Sequence, residues 1–369
     1  MMANVAIVTM LPHLEEIFSN VENIEFLSRL MITIPSLVIA ILAPFLGHLI
    51  YRFGKKISAI LALILFAVSG SSGFYLDSID NLLISRALLG VAIASLMIVS
   101  TSLVGDYFKG EQRNKFMGIQ SAFTSVGGII FVVGGGILSD ISWRYPFGIY
   151  LIGFILLPFV VKYLVEVDVD NKKDNNQNIE INSNLFSIYF LAFLMMIIFY
   201  ILPTQIPFLM MNKFGASGTL TGSIISLAFV FHALGSLAFA KLKNKFDFKI
   251  IYLIGLAVLA FGFILIGFIS NVYFFFITAS MMGFGGGLMM TNVSAWMLNK
   301  AHSTKRVKSS GYLTSSFFMG QFFSPIVTMP VVALVGVQNS FIILGTIIWI
   351  GIFITISLFI KRDSLKNKR

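Results

Sequence analysis

The chain has 369 residues, of which 57% are hydrophobic and only 11% charged, against about 25% charged in ordinary soluble domains. It contains no cysteine, which excludes disulfides, thiol nucleophiles and cysteine-based zinc sites. Its formal net charge of +10 sits in short loops between apolar runs, so the charge reads as membrane topology rather than a nucleic-acid footprint.

In chain order, Met1 to Leu14 is apolar but too short to cross a bilayer alone. No basic region precedes it and no small-residue cleavage site follows, which argues against a signal peptide. It is expected to be the remainder of a first helix starting about 10 to 15 residues upstream. After the acidic stretch Glu15 to Glu25, eleven further spans are predicted at 27–50, 57–76, 81–103, 116–138, 145–165, 185–210, 219–240, 250–270, 272–295, 309–334 and 339–360. The total of about twelve matches the length at roughly 20 residues per span. The predicted class is therefore an all-α membrane protein.

One long polar segment interrupts the series. Residues 166–184, rich in Asn and Asp, form a predicted flexible linker between a first bundle at 1–165 and a second at 185–360, with a basic tail at 361–369. With the N-terminus in the cytoplasm, 22 of the 26 Lys and Arg fall in cytoplasmic loops, linker and tail, and only Arg29, Arg86, Arg144 and Lys213 lie elsewhere. Basic residues collect on the inner side, so both termini are predicted to be cytoplasmic in a multi-pass inner-membrane protein.

The halves repeat. At an offset of 193, Gly90 falls on Gly283, Arg113 on Arg306, Gly118 on Gly311 and Gly127 on Gly320, which predicts two pseudo-symmetric six-helix bundles. Polar side chains inside a bilayer need partners or water. Those at Asn4, Thr33, Arg86, Gln120, Tyr200, Gln205, His232, Asn292 and Gln321 therefore mark a candidate substrate cavity. The almost purely apolar sixth and ninth spans are expected to face lipid, and the other spans to surround the cavity.

The loop after the second span reads Gly47-His48-Leu49-Ile50-Tyr51-Arg52-Phe53-Gly54-Lys55-Lys56. It resembles the signature loop of the major facilitator superfamily, G-x-L-x-D-R-x-G-R/K-R/K, with Tyr51 in place of the aspartate. Arg86-Ala87-Leu88-Leu89-Gly90 resembles the fourth-span R-x-x-x-G of drug-efflux members. Gly118, Gly127, Gly135 and Gly136 match the spacing of the fifth-span antiporter motif, with Phe131-Val132 where its Gly-Pro stands. Trp143-Arg144-Tyr145-Pro146-Phe147, Pro203 to Phe208 and Gly320 to Pro325 look like a bacterial drug- and aromatic-compound-exporter branch.

The resemblance implies the major facilitator fold, alternating access and a latch of Gly47, Arg52, Gly54, Lys55, Asp106 and Arg113, in which Arg52 pairs with Asp106. The alternative for Asp106 is a helix-end charge, that for Arg86 is reaching the outer headgroups, and that for the glycines is helix packing alone. The resemblance also implies proton-coupled efflux of small hydrophobic or aromatic compounds. A nutrient importer of the same fold is the alternative.

Of the 16 acids, Glu15, Glu16, Glu22, Glu25, Asp77, Asp80 and Asp140 are placed outside, and the other nine at cytoplasmic ends, linker or tail. None is predicted at mid-membrane, where a proton-exchanging carboxylate is expected. His232 is the remaining titratable group there apart from tyrosines, and a neutral histidine bonded to a neighbouring helix is the alternative. Without a buried acid, a neutral or anionic, partly aromatic ligand suits Arg86 and the Phe-rich lining better than a cationic one. His13, His48, His232 and His302 are scattered, so no metal, cofactor or enzyme site is expected. The expected partners are a small-molecule substrate, the lipid bilayer and protons as coupling ion, with no nucleic acid. The expected state is monomeric.

Overall fold

A computed structural model describes residues 6–108, 110–165, 183–301 and 306–366. The described residues form helices and connecting turns, with no strand among them. A short 3-10 turn, Val8–Met10, leads into α1 (Leu11–Ile17). Then come α2 (Ile24–Phe53), α3 (Lys55–Gly70), α4 (Ile79–Tyr107), α5 (Gly110–Ile141) and α6 (Ile152–Tyr163), the last entered through a 3-10 segment, Tyr145–Leu151. The second half comprises α7 (Ser183–Phe208), α8 (Gly218–Lys243), α9 (Phe248–Gly267), α10 (Phe275–Lys300) and α11 (Arg306–Lys366).

Continuous helix is what the medium demands, because a backbone N–H or C=O left open in hydrocarbon costs several kcal/mol. Nine helical segments among the described residues are long and apolar enough to cross a membrane. The last, Ser309–Ser357, is two antiparallel arms joined where Gly336 takes φ 79 and ψ 165. That left-handed conformation favours glycine and breaks the helix, where the sequence predicts a gap between spans at 334 and 339. The linker lies largely outside the described residues.

Within the first half α4 packs on α2 and α3, and α3 on α6; within the second, α10 packs on α8 and α9, and α11 on α7 and α9. The repeat is visible at atomic level. A methyl group added at Gly90 would meet the Pro35 carbonyl oxygen, and one added at Gly283 would overlap the Ala228 carbonyl oxygen. Both contacts obey the same offset of 193, so α2 on α4 and α8 on α10 are one packing motif used twice.

The perimeter differs from expectation. α6 is outward as expected, with Ile155 and Phe159 exposed. α9 turns Phe261 outward but buries Leu259, Phe263 and Ile266. α3 and the second arm of α11 are perimeter helices too: Ile57, Leu61 and Val68 are exposed, as are Ile347, Ile350 and Phe353. At the end of α3, Ser69, Ser71 and Ser72 are buried within the bundle.

Gly283→Val is expected to lower the thermal unfolding temperature in detergent, since overpacking costs typically about 1–3 kcal/mol. Gly351→Val, whose added methyl meets nothing within 4 Å, is the matched control and should leave it unchanged.

Candidate functional site

The two bundles meet along two seams, both tightest at the end of the molecule carrying Glu15, Glu25, Asp77 and Asp140, termed here the acidic end. The first seam joins α5 to α8. A helix N-terminus has backbone N–H groups without intrahelical partners and a partial positive charge. At α8 these are met from the opposite bundle: Gly218 N and Thr219 N donate to the two oxygens of Asp140, the latter at 2.8 Å, and Thr219 Oγ1 donates as well. Deeper along the seam, added methyls at Gly136 and Gly222 would strike the carbonyls of Gly218 and Val132, and Ser226 Oγ donates to Ile129 O at 3.4 Å.

The second seam brings α1 and α2 against α7 and α11. Its centre is Arg29, 2% exposed. Nη1 donates to Glu15 Oε1 at 2.7 Å and to the Glu25 carbonyl. Across the seam, Nε donates to Gln205 Oε1 at 3.3 Å, and the guanidinium lies 3.7 Å from the Phe208 ring centre. Gln205 in turn donates to Thr328 Oγ1 at 3.3 Å. Further in, Ser36 Oγ donates to Gln321 Oε1 at 2.8 Å, and Ser315 Oγ to Ala40 O at 3.4 Å. A cavity of about 480 Å³, lined among others by Glu15, Glu25, Arg29, Lys213 and Gln338, lies at the acidic end of this seam.

Of the cross-bundle hydrogen bonds named above, those of Ser226 to Ile129 and of Ser315 to Ala40 reach furthest toward the opposite, basic end. The main apolar core draws residues from both bundles, whereas Ile50, Ala59 and Val99 form a separate small core at the basic end, packed only by first-bundle side chains. The cross-bundle bonds named above gather toward the acidic end.

The expected site residues divide accordingly. Thr33, Gln205 and Gln321 come to the second seam, with Thr33 Oγ1 bonded to the Arg29 carbonyl at 3.3 Å. Tyr200 is buried on α7 with its hydroxyl unpaired. Three others belong to the interior of their own bundle. Arg86 is fully buried, donating through Nη2 to Ser69 O, Gly70 O and Ser72 Oγ at 2.7–3.1 Å, with its faces over Phe147 and Tyr150 at 4.9 and 5.1 Å. Carbonyls freed at the end of α3 explain how lipid-embedded helices hold this charge. Asn292 donates to the Phe248 carbonyl at 2.9 Å, toward α9, and His232 lies 5.4 Å from the Phe199 ring.

Of the latch residues, Gly54 ends α2 and starts α3 at φ 89, its N–H bonded to Ile50 O at 2.9 Å. A side chain there would be strained. Gly47 has no neighbour within 4 Å of an added methyl, Arg52 is exposed, and Lys55 stands at the start of α3. Asn4 and the side chains of Asp106, Arg113 and Gln120 lie outside the described residues, so the pairing of Arg52 with Asp106 remains an expectation. Sequence reasoning missed Arg29, Glu15 and Asp140. An arginine only five residues into its helix was the one available signal.

A sequence model of the Major Facilitator Superfamily matches residues 1–208 and again 188–369. Multidrug resistance protein 2 of Bacillus subtilis (strain 168) is 29% identical over 223 residues, 57% of this chain and 56% of that protein, so the match spans about half of the relative. The Bacillibactin exporter of the same organism is 24% identical over 351 residues, covering 88% of this chain and 85% of that protein. A solved structure described as a bacterial homolog to the human lysosomal transporter Spinster, in inward-facing and occupied conformation, superposes with TM-score 0.71 at 15% identity, covering 95% of each chain.

Asp140→Ala should loosen the acidic end. Hydrogen bonds to a carboxylate, discounted for its exposure, are worth about 1 kcal/mol, roughly a fivefold rise in the open-to-closed ratio. Nitroxides on Asn20→Cys and Ser270→Cys, in a chain with no native cysteine, report this as a longer distance between the bundles.

Proposed function

Since the chain belongs to the major facilitator superfamily, we propose that it exports small hydrophobic or aromatic compounds by alternating access, driven by proton entry. It is a multi-pass membrane transporter and not an enzyme. The observation that carries the mechanism is the asymmetry of the seams. Arg29, Gln205, Ser36, Gln321 and Asp140 close one end, while at the other Ile50, Ala59 and Val99 form a separate small core packed by first-bundle side chains. A rigid-body rock of one bundle against the other would exchange the two ends.

Orientation follows on this reading from charge. Basic residues concentrate on the cytoplasmic side, so on this reading the end opposite the acidic one faces the cytoplasm of an inner membrane, both termini are cytoplasmic and the closed acidic end makes the described state inward-facing. A monomer suffices, because the cleft lies between two halves of one chain. Efflux is supported by the names of the relatives, and an aromatic substrate by 38 phenylalanines in the chain. Thr33, Gln205 and Gln321 are proposed as polar contacts on the substrate's path. In this reading Arg86 braces the first bundle near its outer end.

Cells expressing the chain should extrude a membrane-permeant aromatic dye, and a protonophore should abolish the extrusion. Gln205→Ala removes a bond to a buried guanidinium, about 1.5–3 kcal/mol, and should slow extrusion by roughly tenfold or more. Dye accumulation in place of extrusion would establish the importer and reject the exporter.

A further inference from the structure

Among the described residues, one acid is singled out by its surroundings. Glu15 and Glu16 are neighbours on α1, but the Glu16 side chain is 77% exposed and that of Glu15 only 17%. Glu15 accepts from Arg29 Nη1 at 2.7 Å and from Ser28 Oγ at 3.2 Å. Through Arg29 its charge is connected directly to the opposite bundle, at Gln205 and the Phe208 ring. The half-open cavity at the acidic end of this seam gives water a route to the carboxyl.

We propose that Glu15 takes up a proton as the acidic end closes and releases it as that end opens, so that the pH on that side sets the balance between the two conformations. This rests on the alternating-access reading above. The closed seam withdraws the carboxyl from water, which disfavours its charged form. When the bundles part at the acidic end, Glu15 and Arg29 separate from Gln205 and both regain water. The neutral acid still accepts from Arg29 through its carbonyl oxygen, and the Glu25 carbonyl and Gln205 stay as acceptors, so closure survives protonation.

The charged and titratable neighbours are few. From α2 come Arg29 and Glu25, from α1 itself His13 and Glu16, which pair at 3.9 Å, and across the cavity Lys213; the α11 bend contributes the uncharged Gln338 and Asn339. Burial raises the Glu15 carboxyl above its ordinary 4.5, Arg29 opposes this by a smaller amount, and Glu25 adds to the rise. A carboxyl raised in the closed state binds its proton there first. Acidification therefore favours closure, and the preference is lost as pH rises through the raised value.

The test uses the full chain in nanodiscs with nitroxides on Asn20→Cys and Ser270→Cys, read from about pH 8 to about pH 5. The closed fraction should rise on acidification, by no more than about tenfold per pH unit in the closed-to-open ratio, the limit for one proton. Glu15→Gln should hold the closed distance across the range, Glu15→Asp should keep a pH response, and His13→Asn should behave as the parent. A Glu15→Gln protein that still titrates, or a parent with two distances whose ratio ignores pH, overturns the proposal and leaves alternating access standing. A single distance in every condition, transported dye included, overturns both.

Discussion

Polar side chains inside a bilayer have no solvent to fall back on, and in this molecule several of them find a partner in the opposite bundle. Arg29 reaches Gln205, Ser36 reaches Gln321, and Asp140 reaches the first turn of α8. Each bond is modest once the loss of hydration is counted, but breaking any of them without admitting water leaves a buried group unpaired at greater cost. Opening the acidic end is therefore bound to hydration. A seam of this kind has two stable arrangements, dry and joined or wet and parted, and little in between.

The same reasoning separates Arg86 from Arg29. Both are buried arginines in apolar helices. The bonds that Arg86 makes through Nη2 go to carbonyls and a hydroxyl of its own bundle, so movement of the bundles leaves them intact. Arg29 is shared between a carboxylate on its own side and an amide on the other. The bonds of one charge stay within a bundle, and those of the other are shared between the two.

Much of the fold was legible in the sequence. The hydrophobic runs located the spans, and the glycine offset located the repeat, down to the matching contacts of Gly90 on Pro35 and Gly283 on Ala228. Close approach of backbones leaves a residue-type signature, and a repeat doubles it. The seams were less legible. Glu15, Arg29 and Asp140 lie at helix ends, where a charge is expected at the headgroups anyway, and their partners are 14 to 176 residues away in the chain. Residue type fixed that Gln205 and Gln321 needed partners without naming them. Asn292 and His232 looked equivalent to these in composition, and only the rotation of their helices turned them inward.

The bend at Gly336 carries a consequence for how force travels. Two residues on, Gln338 donates to three carbonyls at the end of α9, those of Ile266, Gly267 and Ile269, and accepts from Lys213 at the end of α7. One amide thereby ties two helix ends and the hairpin between the arms of α11 into a single plate. Under the alternating-access reading, a push delivered on that plate would reach the ends of α7 and α9 and the bend of α11 together.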